Sequence, residues 1–269
     1  MSSRFFRSEL AMIYRRRRNQ VILAILAAAP ILIAIAVKIS APKNGDGPQF
    51  LSQITQNGVF VAFTALTVVI PFFLPLAVAV VSGDSISGEA GSGTLRYLLV
   101  VPVSRTRLLA VKYASVVVYC LTAALVVAAF GVIIGLILFP SGAATLLSGS
   151  TVSFGGAVWR LFLAALYVAA CMAALGAIGL FISTLVESPV AAMASTAGVA
   201  ITVQILDNVP QLHAIQPYLF SHWWLSFGDL LRAPIATGDV VHGLVVALAY
   251  AALFGALAWS RFTTKDISS

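Results

Sequence analysis

The chain has 269 residues, 60% of them hydrophobic and only 9% charged, and its mean hydropathy is +1.01. A soluble domain carries roughly 25% charged residues, so this composition excludes a soluble fold and describes an integral membrane protein. The formal net charge of +7 does not mark a nucleic-acid binder, because the cations gather at the ends of apolar runs, where membrane topology places them.

The apolar runs are long and continuous rather than short and alternating, which predicts an all-α membrane protein and not a barrel. Residues 1–18 come first. Phe5, Phe6, Leu10, Ile13 and Tyr14 recur there at helical spacing among Arg4, Arg7 and the run Arg15, Arg16, Arg17 and Arg18. The pattern predicts an amphipathic helix in the inner membrane interface. The alternative is a plain basic flank that only sets orientation. The Arg run also attracts anionic headgroups, by about 1 kcal/mol per cation near the surface. A full-length span follows with no small-residue cleavage site, so no cleavable signal peptide is read here.

The first span is predicted over 20–37, about 27 Å long, with Pro30 as a kink. The second covers 59–81 and carries Pro71 and Pro75, four apart and so on one face. Two prolines bend such a helix; the bend is read either as static or as an element of gating. The third span is predicted over 112–139, longer than the hydrocarbon core, with its first turns projecting from the membrane and Gly131 and Gly135 spaced for close helix contact. The fourth, 159–183, places Ala165, Ala169, Ala173 and Ala177 at four-residue steps, a small-residue packing face. The fifth covers 190–206 and contains Gln204. Residues 207–239 form the longest outer segment, read as one or two interfacial or re-entrant helices anchored by aromatics such as Trp223 and Trp224. The sixth span is predicted over 240–259.

With the N-terminus inside, the inner cations are Arg4, Arg7, Arg15 to Arg18, Arg96, Arg105, Arg107, Lys112, Arg261 and Lys265, and the outer ones are Lys38, Lys43, Arg160 and Arg232. Twelve against four, the full 16, predicts six spans with both termini inside.

No residues form a Walker A loop, a H-E-x-x-H motif or a nucleophile paired with a base. His213, His222 and His242 lack ligand spacing, and Cys120 and Cys171 lie inside apolar runs as small buried hydrophobes. No catalytic, cofactor or metal site is expected in the chain. The span interiors hold almost no ionisable residue, which argues against a carrier driven by protons or sodium. Energy must enter elsewhere.

The place for it is 83–105, between the second and third spans. Ser87 is read as able to cap a short helix with Glu89 in its first turn; the alternative is an ordered start nearer Thr94, because Gly91 and Gly93 cost helix stability. Leu95, Leu98 and Leu99 form an apolar stripe, Pro102 ends the helix, and Arg105 and Lys112 hold the next helix at headgroup level. An ordinary amphipathic loop helix without a partner is the plain alternative. Glu89, Gly93, Thr94, Leu95, Leu98, Leu99, Pro102, Val103, Ser104, Arg105 and Lys112, with Asp84 ahead of them and Arg96 among them, resemble the signature of the type-two class of ABC export permeases. Gly91 departs from it, standing where the family often has a second acidic residue. The family's N-terminal elbow helix, six spans, coupling helix between spans two and three, and amphipathic segment before span six all have counterparts along this single transmembrane domain.

The resemblance implies a permease without catalytic residues; the composition suggests a bacterial plasma (inner) membrane. The resemblance also implies two ATPase subunits on separate chains that bind the ATP and magnesium, and a second permease, identical or related. The ATPase-coupling residues it points to are Asp84, Glu89, Gly93, Thr94, Leu95, Arg96, Leu98, Leu99, Pro102 and Arg105. Arg15 to Arg18, Lys112, Trp223 and Trp224 would anchor the chain at the membrane interfaces, and Pro71 and Pro75 would bend the gate. The uncharged spans fit a lipophilic or amphipathic substrate. The reading from a different class is a membrane anchor or assembly subunit that recruits a soluble partner and moves nothing.

Overall fold

A computed structural model describes residues 2–40, 57–91, 104–146 and 148–264. Helices dominate it: α1 (Ser2–Arg15), α2 (Arg17–Ser40), α3 (Val59–Val69), α4 (Phe73–Gly91), α5 (Arg105–Leu138), α6 (Phe154–Leu185), α7 (Pro189–Asp207) and α8 (Gly238–Thr264). Five of these are long and apolar enough to cross a membrane, and α3 and α4, bent at a short break, meet the same length and composition test together, which gives six if the pair is one span.

Of the five helices long enough to cross a membrane alone, α6 is the most buried along its apolar stretch. Its apolar window is 78% buried, against 28% for α2, 17% for α7 and 11% for α8. It packs against α8, α5, α4 and α7. The alanine spacing explains this central place: Ala165, Ala169, Ala173 and Ala177 are all buried, and small side chains let neighbouring helices approach closely. The second hub is α5, which packs on α6, α3 and α2. Its Gly131 and Gly135 lie against Ala62 and Gly58 of the α3 end of the broken span. A Cβ on Gly131 would stand 2.5 Å from the Ala62 Cα, and one on Gly135 would meet the Gly58 backbone. The paired four-residue spacings of α3 and α5 make the contact backbone to backbone.

The two prolines do more than bend one helix. The second span breaks at 70–72, and α3 and α4 meet at 60°. Pro71 lies in the break, while Pro75 occupies the first turn of α4, where a missing N–H costs little. Pro75 cannot donate to the carbonyl of Pro71. The side-chain amide of Gln204 on α7 donates to that carbonyl instead, so a neighbouring helix satisfies the group that the proline leaves open.

At the end of the bundle that carries Lys38 and Arg160, the 140–158 connection forms a small antiparallel ribbon, β1 (Ala144–Thr145) with β2 (Thr151–Val152). The expected helices of 207–239 are absent. The segment runs instead through three 3-10 turns, Pro210–Leu212, Gln216–Tyr218 and Ser226–Leu231, because Pro210 and Pro217 keep any helix short. Side chains of the bundle hold it down through its backbone carbonyls. Tyr167 donates to Trp223 at 2.6 Å, Tyr250 to Tyr218 at 3.1 Å, and Arg160 to Arg232 at 2.7 Å. Trp224 is buried and so belongs to the core rather than to an interfacial belt. Trp223 is half-buried, stacked on His242 at 5.6 Å, and donates to the Pro217 carbonyl.

Candidate functional site

At the opposite end, where α1 joins α2, four helices converge. The short helix α1 turns one stripe inward. Phe5, Glu9 and Ile13 follow at steps of four, which places a carboxylate on the apolar face. Its last carbonyls are capped from α2: the amide of Asn19 donates to Ile13 and that of Gln20 to Tyr14, each at 2.9 Å. Tyr14 shares a 2.6 Å hydrogen bond with Thr122 of α5, and burial pushes its phenol pKa up despite that bond.

The inward carboxylate meets Lys112. The Lys112 ammonium stands 2.6 Å from Glu89 Oε1 and 3.4 Å from Glu9 Oε2, with only 2% of the lysine side chain exposed. Beside this triad the carboxylate of Asp84 takes both Arg16 and Arg18, the latter at 2.8 Å. Glu9, Arg16, Asn19, Asp84, Glu89 and Lys112 share a cavity of about 30 Å³. The three acids balance the three bases. Arg16 and Arg18 are exposed, whereas Lys112, Glu9 and Glu89 are buried; a buried triad of this kind adds little net stability when complete, because desolvation offsets the attraction, but removing its lysine leaves uncompensated buried charge. The contribution of the whole set is therefore to fix how α1, α2, α4 and α5 sit together.

Two of the knot's carboxylates, Asp84 and Glu89, rest on α4, whose backbone bonds are interrupted from outside. Ser183 of α6 donates to the carbonyl of Gly83 at 2.7 Å and accepts from the amides of Ile86 and Ser87 at 3.0 and 2.9 Å. A hydroxyl from the central helix thus inserts into the backbone ladder of α4. The α4 backbone has no side chain at Gly83, where the Met193 backbone of α7 passes close by. Ser183→Ala is expected to lower stability by about 1–3 kcal/mol, the cost of buried backbone groups left without their partner. A thermal midpoint in detergent equal to that of the wild type would show that the ladder closes without Ser183.

The structure corrects three expectations at this end. Ser87 does not cap a new helix. It lies inside α4, which continues to Gly91, and its hydroxyl returns to the Gly83 carbonyl at 2.6 Å. Lys112 does not extend as a free snorkelling cation, because Glu9 and Glu89 hold it inside the bundle. The third span begins at Arg105, capped by Ser104, and Arg105 donates to the carbonyls of Phe262 and Thr263 at the end of α8. Gly93, Thr94, Leu95, Arg96, Leu98, Leu99 and Pro102 lie outside the described residues. Arg15, Arg16, Arg17 and Arg18 are exposed at the α1–α2 junction. Sequence reasoning missed Glu9, the pairing of Arg16 and Arg18 with Asp84, and Ser183. Only Glu9 gives a signal in the sequence, as an acid on an apolar stripe.

A family model described as ABC-2 family transporter protein matches residues 13–197. The chain belongs to the ABC-2 family. The match runs from the end of α1 into α7 and includes Arg16, Arg18, Asp84, Glu89 and Lys112, while Glu9 precedes it. No curated protein matches the chain. As an ABC-2 family protein it is a multi-pass membrane permease subunit of an ABC transporter, and its family associates with an ABC ATPase that is a separate component.

Proposed function

We propose that this ABC-2 permease is the transmembrane half of an ATP-driven exporter of lipophilic or amphipathic compounds in a bacterial inner membrane. Two ATPase subunits on separate chains would bind ATP and magnesium. A second permease, identical or related, would complete the path. The chain itself supplies binding and gating and no hydrolysis.

The observation that carries this reading is the charge knot. Residues 92–103 connect α4 to α5, and both helices are clamped to each other through Glu89–Lys112 and to the chain's first helix through Glu9. A force applied to the connection by a soluble ATPase therefore reaches α4, α5 and α1 together. Along α4 it leads to the 60° break at Pro71. Asp84 and Glu89 couple by holding this frame, Arg105 by tying the start of α5 to the end of α8, and the residues from Gly93 to Pro102 supply the docking surface. Arg15 to Arg18 place the frame at the cytoplasmic interface. The hydrocarbon-facing sides of α2, α7 and α8 carry no charge in their middle turns, which suits a lipophilic cargo.

Reconstitution of the permease–ATPase complex tests this reading with a panel of lipophilic dyes as cargo. The wild type is expected to move dye only with ATP. Glu89→Gln is expected to lower the dye moved per ATP hydrolysed by roughly 5- to 150-fold, the span of a coupling of 1–3 kcal/mol. An unchanged ratio would place coupling elsewhere. Hydrolysis with no dye movement by the wild type would favour the anchor.

A further inference from the structure

The knot leaves most of the cationic N-terminal region without a carboxylate. Glu9 is the only acid of α1 and faces inward to Lys112. Arg16 and Arg18 share Asp84. Arg4, Arg7, Arg15 and Arg17 are exposed, and none of them has an acidic partner among the described residues. Ser8, Ala11, Met12, Arg15 and Arg16 line an open groove on the outer face of α1. Its floor is apolar at Ala11 and Met12, and its rim is cationic.

The position of this face decides what it fits. The chain passes directly from α1 into α2, whose apolar window has a mean hydropathy of 2.7. Arg17 heads an exposed stripe on α2 that continues through Val21, Ile25 and Leu32 at helical spacing. A cation at the head of an exposed apolar stripe on a membrane-length helix matches a phosphodiester above an acyl chain. A soluble acidic protein would find the cations but would leave the stripe below them uncovered.

We propose that Arg4, Arg7, Arg15 and Arg17, with the Met12 groove, form a binding site for anionic phospholipid headgroups that adjoins the charge knot at Met12 and Arg16. The site rests on the span placement alone and is independent of the export reading. Each arginine gains from a nearby anionic headgroup, and the gain falls with salt.

The test uses the full chain in nanodiscs that contain phosphatidylcholine and spin-labelled phosphatidylglycerol. The wild type is expected to hold a motionally restricted phosphatidylglycerol population that a phosphatidylcholine label does not show. Arg7→Gln with Arg15→Gln is expected to lower that preference on the order of tenfold, while Arg7→Lys with Arg15→Lys retains most of it. Equal elution volume and thermal midpoint would show that both variants fold. Inorganic phosphate is expected to displace no more lipid than chloride at the same ionic strength; selective displacement would identify a soluble anion site and overturn the lipid assignment. An unchanged lipid preference in the glutamine variant would also overturn it. So would loss of a co-purifying ATPase with lipid preference intact, which would give this face to the soluble partner.

Discussion

Lys112→Met is expected to be the most damaging single substitution in the chain. It strands Glu9 and Glu89 in a site where the lysine was only 2% exposed, and breaking a buried ion set in this way costs about 3–5 kcal/mol. The expected result is a sharp fall in the thermal midpoint in detergent and loss of the monodisperse protein. Glu9→Gln and Glu89→Gln introduced together with Lys112→Met remove all three charges, and such wholesale replacement is often neutral. The triple variant is therefore expected to regain the wild-type midpoint. It is not expected to regain transport, because the link between α1, α4 and α5 is gone. The knot would then be a positional device rather than a stabilising one. A Lys112→Met protein that melts with the wild type would show that the two carboxylates do not depend on the lysine.

Gly135→Leu is the second large effect. The Cβ would meet the backbone of Gly58, with the Gly58 Cα only 3.1 Å away. Backbone cannot rotate out of the way as a side chain can, so the helix pair must part. Overpacking of a tight core contact costs about 1–3 kcal/mol or more. Here it also separates α3 from α5, and with it the half of the broken span farther from the knot. Gly142→Leu is the matched control, since nothing lies within 4 Å of a Cβ there; its effect is expected to stay within about 0.5 kcal/mol. Thermal midpoints of the two variants check the pair. Equal midpoints would mean that the α3–α5 contact is looser than the geometry shows.

The positions of the apolar runs were legible in the sequence because hydropathy reports what must leave water. Their ends were not. The third span begins at Arg105 rather than at Lys112, α4 continues to Gly91 and the last helix to Thr264, since hydropathy marks the apolar stretch and not where the helical hydrogen bonds stop. Pro71 and Pro75 announced a distortion, but the Gln204 amide that satisfies the Pro71 carbonyl at the break comes from a helix distant in the chain. The same limit hid the knot. Lys112 next to apolar residues reads as a snorkelling cation until Glu9, 103 residues earlier, is placed beside it. The Phe5–Glu9–Ile13 stripe carried that information, because an acid on an apolar face requires a partner. Ser183 carried none, as an isolated serine in an apolar helix has many uses. For 207–239 the prolines marked the breaks correctly, and the aromatics left open whether the pieces would lie in the interface or fold onto the bundle.

Co-purification tests most directly whether this permease is moved by a separate ATPase. The tagged chain, co-expressed with its candidate ATPase, is expected to elute as one detergent-stable complex whose ATP hydrolysis depends on the permease. Glu89→Gln should then alter how much transport each ATP supports. A chain that elutes alone, beside an ATPase whose hydrolysis is indifferent to it, would contradict the coupling frame and leave the charge knot as a purely structural clamp.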